Sequence, residues 1–236
     1  MAKYNRVLLK LSGEALAGAN KNGYDFTIMG QICDVIKDCV AQGVQVGVVI
    51  GGGNFWRGVK NGEGYIERTR ADRMGMLATV MNCLAVCDVL EQKGVPAKVM
   101  TALEMPAFGE RYTHERAMEL LTSGTVVLFG AGTGHPYFST DTGTVLRAAE
   151  IGADVILMAK NVDGVYSADP EKNPSAVKYD EITYDEVLAK RLAVMDLTAT
   201  SLAMANSIPV YVFALKDPKN ILRAAAGENV GTLVHG

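Results

Sequence analysis

The segment from Val44 to Gly58, VQVGVVIGGGNFWRG, constrains the fold of this chain more than any other. Its β-branched residues, at positions 44, 46 and 48–50, are typical of a strand buried on both faces of a parallel sheet. Three glycines then end the strand, and glycine lets a backbone turn sharply or approach another group closely. Exposed amides there can bind an anion, and Arg57 adds a planar donor group suited to phosphate or carboxylate. Taken alone, the segment favours a tight turn with a surface arginine, because short glycine motifs match often.

Composition excludes several classes of protein. The chain has 236 residues, of which 49% are hydrophobic, so it can bury a large core, and we expect a single domain over residues 1–236. A net charge of −3 provides no basic surface for nucleic acid or a membrane. No apolar run reaches the roughly 18 residues of a spanning helix, and the start lacks a signal peptide's apolar stretch. We therefore expect a cytoplasmic protein with no nucleic-acid or membrane partner.

The cysteines and methionines also lie in helical apolar patterns. No CxxC pair stands with histidines at the spacing of metal ligands. The expected reduced core residues are Cys33, Cys39, Cys83 and Cys87. The methionines of residues 72–93 recur at helical spacing, which favours a core role over a sulfur-ligand site.

The first part of the chain predicts a βαβ unit. Residues 6–13 form an apolar strand that ends in a lysine and a Ser-Gly turn, and residues 16–25 are predicted to be a flexible loop. A helix over residues 28–40, ended by Gly43, then leads to the glycine strand. Lys10 near the end of the first strand either extends to water at the sheet edge or points at an anion.

A second glycine-rich turn follows later in the chain. Residues 54–73 carry many charges and are predicted to be a long loop over a site, and Asp72 is predicted to cap or begin the helix over 72–93. The strand at 125–131 leads through glycines and His135 into a helix from about Thr140. Open α/β sheets bind ligands at such strand ends, and helix N-termini favour anions. Two such loops together indicate a ligand that carries phosphate.

The remaining segments continue the alternation of strand and helix. Strands are predicted at 97–101, 154–160 and 208–213 and at the chain end, and helices at 114–121, 140–151, 184–190 and 197–206 and after Asp217 and Pro218. The loop after the strand at 154–160 carries Tyr166 and Asp169, which suit a nucleobase and its ribose but also an ordinary surface loop. The whole pattern predicts an α/β sandwich around a mainly parallel sheet.

Five motifs in this order resemble those of a known family: KLSGE from Lys10, GGGNFWRG from Gly51, DRMGMLATVMN from Asp72, GTGHPYFSTD from Gly132 and VDGVYSADP from Val162. The chain closely resembles the bacterial-type UMP kinases of the amino acid kinase superfamily, from about residue 6 to residue 234. It contains no GxxxxGK[ST] motif, which excludes the P-loop type of nucleoside monophosphate kinase. The resemblance implies a three-layer α/β/α sandwich around an open, mainly parallel sheet, and a homohexamer.

The resemblance also implies a reaction and its residues. The enzyme would move the γ-phosphoryl group of ATP to UMP, giving UDP and ADP, in pyrimidine nucleotide (CTP and UTP) biosynthesis. The implied catalytic residues are Lys10, Arg57 and Asp141. The implied ATP-binding residues are Lys10, Leu11, Ser12, Gly13, Gly53, Arg57, Lys160, Tyr166 and Asp169. The implied UMP-binding residues are Gly52, Asp72 (on or near the ribose), Thr133, Gly134, His135, Pro136, Tyr137, Phe138, Ser139 and Thr140.

The resemblance extends to a cofactor and to regulation. Mg²⁺ would enter with ATP and be held mainly through phosphates, with Asp141 organising either Lys10 or the ion. Residues 18–23 match the place where GTP activates some members, although their sequence, GANKNG, departs from the version of that site. GTP is thus a candidate activator and UTP a candidate inhibitor of an allosteric enzyme.

Two other functions fit parts of the pattern. Acetylglutamate, carbamate and aspartate kinases share the lysine and the glycine strands, but the joint presence of Arg57, Asp72 and the loop at 132–141 favours UMP. A non-catalytic nucleotide-binding or storage module of the same fold would be expected to lack Lys10 or Asp141, and both are present.

Overall fold

The structure is a computed structural model that describes residues 2–20, 22–57, 64–170, 172–192 and 194–236. The strands are β1 (Arg6–Leu11), β2 (Gln45–Ile50), β3 (Ala97–Thr101), β4 (Glu110–Arg111), β5 (Val126–Gly130), β6 (Val155–Lys160), β7 (Val165–Tyr166), β8 (Lys178–Tyr179), β9 (Glu181–Thr183), β10 (Val210–Ala214) and β11 (Gly231–His235). The helices are α1 (Gly13–Ala17), α2 (Phe26–Ala41), α3 (Arg68–Gln92), α4 (His114–Thr122), α5 (Thr140–Ile151), α6 (Tyr184–Ala189), α7 (Leu197–Ala205) and α8 (Asn220–Ala225).

Nine of these strands form one sheet, in the order β4-β3-β5-β2-β1-β6-β10-β11-β9. Neighbouring strands are parallel except for the antiparallel pair of β10 and β11. β1 lies at the centre, where Val7 is in register with Val46 of β2 on one side and with Val155 of β6 on the other. The predicted, mainly parallel sheet is confirmed. β7 and β8 form a separate antiparallel pair.

Alternate residues of the central strands divide the core into two layers. Leu9 of β1 belongs to a buried cluster that also contains residues of α2, α3 and α8. Leu8, one residue earlier, belongs to a second cluster with residues of α4, α5, α6 and α7. Successive side chains of a strand point to opposite faces, so the apolar run of β1 requires helices on both sides. The three-layer α/β/α sandwich is therefore confirmed.

The start of α3 differs from the sequence prediction. The helix begins at Arg68 rather than at Asp72, and the Glu67 side chain caps it by accepting hydrogen bonds from the backbone N–H groups of Thr69 (3.0 Å) and Arg70 (3.3 Å). The prediction of Asp72 as a cap was wrong, because this first helical turn is exposed and carries no apolar period that a pattern search could detect. Residues 58–63 of the predicted loop lie outside the described residues.

Two shorter predictions also need correction. Part of the expected loop at 16–25 is ordered into the end of α1 and a 3₁₀ turn over Gly18–Asn20, and α1 is capped by Ser12; Lys21 lies outside the described residues. α8 begins at Asn220, because Asp217 accepts a hydrogen bond from the backbone of Lys219 (3.0 Å) in a turn before the helix. The short strands β4, β7, β8 and β9 were not predicted.

α3 has one buried and one exposed apolar side. By length and composition alone it could cross a membrane, but Cys83, Val86 and Leu90 are buried in the core cluster that faces α2 and the sheet. Core helices of globular proteins have this character. On the other side, Leu77 is 52% exposed and Met81 47% exposed. α3 therefore presents an apolar surface that the described part of the chain does not cover.

The cysteines are free thiols, as expected. Cys33, Cys39 and Cys83 are buried, and Cys87 is partly buried. Burial raises the pKa of Cys33 and of Cys39 to about 12 and the pKa of Cys87 to about 11. Because the thiolate is the reactive form, these groups are chemically quiet at neutral pH.

We predict that the folded protein resists thiol alkylation. At neutral pH, iodoacetamide should modify Cys87 slowly, because it alone of the four is partly exposed, and should modify the other three only after unfolding in denaturant. Peptide mass spectrometry of native and denatured samples measures each site. A Cys87→Ser variant is the control for the native reaction, and rapid native labelling of Cys33 or Cys83 would contradict the assigned core.

Candidate active site

One edge of the sheet gathers the residues predicted to form the site. β1, β2, β5 and β6 are parallel and adjacent, so their carboxyl ends lie at the same edge. From β1 the chain adds β2, β3 and β5 on one side of the sheet, and it then adds β6 and β10 on the other side. In open α/β sheets, ligands bind outside the strand ends at the point where the strand order changes direction, which here lies between β1 and β6. The two glycine-rich turns leave the ends of β2 and β5 at this edge.

Lys10 and Asp141 form an ion pair at this edge. The Lys10 Nζ lies 2.9 Å from Asp141 Oδ1, and the two side chains are only 12% and 20% exposed. Asp141 stands in the first turn of α5, where the helix dipole stabilises a negative charge, and Ser139 caps the same turn through the Thr142 N–H (3.0 Å). The pair places a largely enclosed ammonium beside the glycine turns.

Lys160 adds a second cation near this pair. It is the last residue of β6, and its ammonium donates a hydrogen bond to the carbonyl of Val194. Burial lowers the pKa of Lys160 below its ordinary value; the nearby Asp141 carboxylate opposes that decrease and the Lys10 ammonium adds to it. The three charged groups are therefore close enough to influence one another, although Lys160 makes its hydrogen bond elsewhere.

The turns after β1 and β2 touch backbone to backbone. A Cβ at Gly13 would lie 2.5 Å from the Gly51 carbonyl oxygen and 2.8 Å from the Gly53 nitrogen, so no larger residue fits there. A Cβ at Gly52 would lie 2.9 Å from the carbonyl oxygen of Gly75 in α3. These contacts require glycine and leave the backbone of the turns at the floor of a cavity.

A buried pair of asparagines holds the turn after β2 against α3. Asn54 and Asn82 exchange amide hydrogen bonds of 3.0 and 2.8 Å. Asn54 Nδ2 also donates to the Gly23 carbonyl (2.9 Å) and Asn82 Nδ2 to the Gly51 carbonyl (2.7 Å). Because both side chains are almost fully buried, these bonds satisfy amide groups that would otherwise be costly to desolvate.

The first cavity has a volume of about 250 Å³ and lies above these turns. Its lining brings together residues from both predicted nucleotide sites: Lys10, Ser12, Gly13, Gly52, Gly53, Asp72, Thr133, His135, Phe138, Ser139 and Thr140. Glu14 and Trp56 complete part of its wall, and Arg57 forms an ion pair with Glu14. Leu11 is buried in the core instead, so any contact it makes with a ligand is through its backbone.

A second cavity, of about 390 Å³, lies beyond β6. Lys160, Tyr166 and Asp169 line it together with Val162, Arg191 and Leu192. The Tyr166 hydroxyl donates a hydrogen bond to Asp163 (2.7 Å), which fixes the ring at the cavity wall. The structure thus separates the predicted ATP-binding residues into a group at the first cavity and a group at the second, with Lys160 at the β6 end of the latter.

Asp72 faces the first cavity from within α3, one turn after the helix start. Its Oδ2 accepts a hydrogen bond from the backbone N–H of Tyr137 (2.9 Å). Tyr137 and Ala131 adopt positive φ values of 70° and 64° in the turn after β5. Gly134, Pro136 and Tyr137 are not among the lining residues of the cavity, and they lie in the same turn. The Asp72 carboxylate therefore connects α3 to this predicted UMP-binding segment.

Sequence reasoning missed Asp196. This residue caps α7 through the Ala199 N–H (3.0 Å), accepts a hydrogen bond from Ser139, and lies 3.4 Å from the Thr142 hydroxyl. An acidic residue before an apolar helix is a recognised cap signal. Its contact with the cap of α5, by contrast, joins residues 57 positions apart, and no local pattern reveals such a contact.

A model of the amino acid kinase family matches residues 5–214 of this chain. The chain belongs to the amino acid kinase family. Solved structures agree over nearly the whole length. The UMP kinase from Bacillus anthracis is 40% identical with a TM-score of 0.95, and the match covers 98% of this chain and 96% of that one.

Two further structures extend the comparison. The UMP kinase from Ureaplasma parvum is 35% identical with a TM-score of 0.94, covering 99% of this chain and 100% of that chain. The uridylate kinase from Archaeoglobus fulgidus is 32% identical with a TM-score of 0.72 and the same coverage. The resemblance predicted from the five motifs is confirmed, and so is the fold class.

We predict that the asparagine pair is energetically coupled. Asn54→Ala and Asn82→Ala should each lower the free energy of unfolding by about 1–3 kcal/mol, because each leaves buried polar groups without a partner. The double variant should lose less than the sum, with a coupling of about 0.5–3 kcal/mol. Urea unfolding of the three variants measures this. Asn206→Ala, at an exposed amide, is the control, and strictly additive losses would contradict the pairing.

Proposed function

We propose that this chain is a UMP kinase, which transfers the γ-phosphoryl group of ATP to UMP and yields ADP and UDP for pyrimidine nucleotide biosynthesis. The observation that carries the proposal is the first cavity, in which the Lys10–Asp141 pair and the glycine turns meet Asp72 and the turn after β5. The near-complete match to two UMP kinases supports the same acceptor. We further propose that residues 1–236 act as one domain, since β1 and β11 belong to the same sheet.

Transfer between two phosphates is mainly a problem of charge. The transition state of phosphoryl transfer is loose, so catalysis depends on positioning and on cations. Lys10 neutralises charge on the transferred group, and Arg57 contributes a planar donor group from the end of the glycine turn. The attacking atom is an ionised phosphate oxygen, and for that reason no side chain needs to remove a proton. Backbone amides of the glycine turns hold phosphate oxygens.

The two cavities divide the substrates. UMP occupies the first, with Asp72 at its ribose and residues 133–140 around its uracil and phosphate. ATP places its adenosine end in the second cavity, against Tyr166 and Asp169, and its phosphates extend past Lys160 towards Lys10. The position of Lys160 and Lys10 at the ends of adjacent strands supports this path.

Mg²⁺ fits this arrangement as a companion of ATP. Phosphate oxygens are the hard ligands that the ion prefers, and Asp141 supplies a carboxylate within the same cluster of charges. When bound, the ion would supply positive charge that lowers the repulsion between the two phosphate groups. Asp141 holds the Lys10 ammonium in place whether or not it also contacts the ion.

The acceptor can be tested directly. A coupled assay of ADP release with ATP and either UMP, CMP, acetylglutamate or carbamate should show UMP as the preferred acceptor. Preference for acetylglutamate or carbamate would indicate a kinase of carboxylates instead. Adding GTP or UTP to the same assay tests the predicted activation and inhibition. We place the reaction in the cytoplasm, and the free thiols fit a reducing compartment.

We predict that Lys10→Ala lowers kcat at least ~100-fold, the magnitude of one lost transition-state electrostatic contact. The same assay measures kcat, and circular dichroism with thermal unfolding checks the fold. Lys37→Ala, at an exposed lysine of α2, is the control and should retain activity. Turnover close to wild type in a folded Lys10→Ala protein would contradict the catalytic role, and a lower thermal stability without a change in kcat would assign Lys10 a structural role.

We predict self-association through α3, with the homohexamer as the expected assembly. Met74, Leu77, Met81 and Leu84 expose 39%, 52%, 47% and 37% of their surface along this helix, and such a patch favours a protein partner. Light scattering should give a hexamer, and Leu77→Glu combined with Met81→Glu should reduce its mass. Val177→Glu, at an apolar residue 64% exposed elsewhere, is the control. A stable monomer at micromolar concentration would contradict the proposal.

A further inference from the structure

Arg68 and Asp72 form a pair that follows from where α3 begins. Because the helix starts at Arg68, both residues are helical. Two helical residues that are four positions apart face the same side of the helix. The Arg68 Nε donates to Asp72 Oδ2 at 2.8 Å and to Oδ1 at 3.0 Å. The Asp72 side chain is only 14% exposed, whereas that of Arg68 is 44% exposed. A largely enclosed carboxylate at the first cavity is thus fixed by an arginine on its outer side.

Arg68 also contacts the turn after β5. Its guanidinium carbon lies 5.1 Å from the centre of the Tyr137 ring, within the range of a cation–π contact. The backbone N–H of Tyr137 donates to the same Asp72 Oδ2 that Arg68 contacts. Tyr137 holds a φ of 70°, which non-glycine residues rarely adopt, so other contacts must stabilise this backbone. Arg68, Asp72 and Tyr137 therefore form one connected unit.

The geometry leaves Asp72 free to bind a ligand. A carboxylate offers about four acceptor positions. Among the residues that the structure describes, Oδ2 receives the shorter contact from Arg68 and the Tyr137 N–H, whereas Oδ1 receives only the longer contact from the same Arg68 N–H. Oδ1 accordingly retains acceptor capacity. The carboxylate is held in one orientation with one oxygen available, as a site for a hydroxyl donor requires.

We propose that Arg68 is a positioning residue for the acceptor nucleotide. It orients the Asp72 carboxylate towards the ribose hydroxyls and, through Tyr137, holds the turn after β5 over the same ligand. Binding of a ribonucleotide in preference to a 2′-deoxyribonucleotide then depends on Arg68 as well as on Asp72, because an unrestrained carboxylate discriminates poorly. The inference rests on the proposed function, and it concerns a residue that touches neither the transferred phosphoryl group nor ATP.

Kinetics of Arg68→Ala with UMP, dUMP and ATP test the inference. KM for UMP should rise about three- to ten-fold, which lies within the range for residues coupled in one network. The ratio of kcat/KM for UMP to that for dUMP should fall, while KM for ATP and kcat with UMP stay within about two-fold. Arg68 is the more exposed partner of the pair, and an ion pair between residues four positions apart on a helix adds little to folding, so thermal unfolding should hardly change. Arg68→Lys should recover part of the loss, since lysine keeps the charge without the planar group.

Two other variants serve as comparisons for Arg68→Ala. Arg70→Ala removes the same charge from the same exposed turn of α3 and should leave all constants near wild type. Asp72→Asn should raise KM for UMP about ten-fold, because a charge-assisted bond to the ribose becomes a neutral one. In an Asp72→Asn background, Arg68→Ala should then raise KM for UMP less than it does in the wild type, because the part of its effect that passes through the carboxylate is already lost.

The outcomes separate the inference from the function on which it rests. Absence of UMP turnover by the wild-type protein would overturn both. With an active wild type, the inference alone fails if Arg68→Ala leaves KM for UMP and the preference over dUMP unchanged. It also fails if KM for UMP falls, which would make Arg68 a competitor for Asp72, or if KM for ATP rises equally, which would indicate a general loss of structure.

Discussion

The parallel pairing of β1 with both β2 and β6 is the constraint on which the rest of this structure depends. Parallel strands end at the same edge, so Lys10, the turn after β2 and Lys160 are brought to one place by backbone hydrogen bonds alone. Parallel strands are usually connected by helical crossovers. These helices cover both faces of the sheet and bury its apolar strands. The same pairing thus builds the core and assembles the site.

Polar groups at this edge are held by other polar groups of the protein. The side-chain amides of the asparagine pair donate four hydrogen bonds beneath the glycine turn. Asp141 neutralises the positive charge of Lys10. Asp196 joins the cap of α5 to that of α7. Buried polar networks of this kind keep a unique geometry only when every member has a partner. The proposed phosphoryl transfer needs that rigidity, because its catalysis is positioning plus fixed charge.

Most of the fold was accessible from the sequence, because its signals are local. The β-branched run of β2 and the apolar period of α2 are each recognisable within a few residues, because burial of an element leaves a regular apolar pattern in its own sequence. The predictions failed where the local signal was weak: the exposed first turn of α3 has no apolar period, the end of α1 looked like a loop, and Asp217 forms a turn before α8. Short edge strands such as β4 also lack enough residues to show alternation.

The sequence by itself determined the fold class and the family, and it predicted most residues of the candidate site, since five ordered motifs and the strand–helix alternation are properties of the chain alone. Tertiary structure decided how those residues are grouped and what each contacts. It paired Lys10 with Asp141, distributed the predicted nucleotide-binding residues between two cavities, and gave Asp72 the partners Arg68 and Tyr137. These contacts join segments far apart in the chain, and only packing of the layers fixes the distances between them.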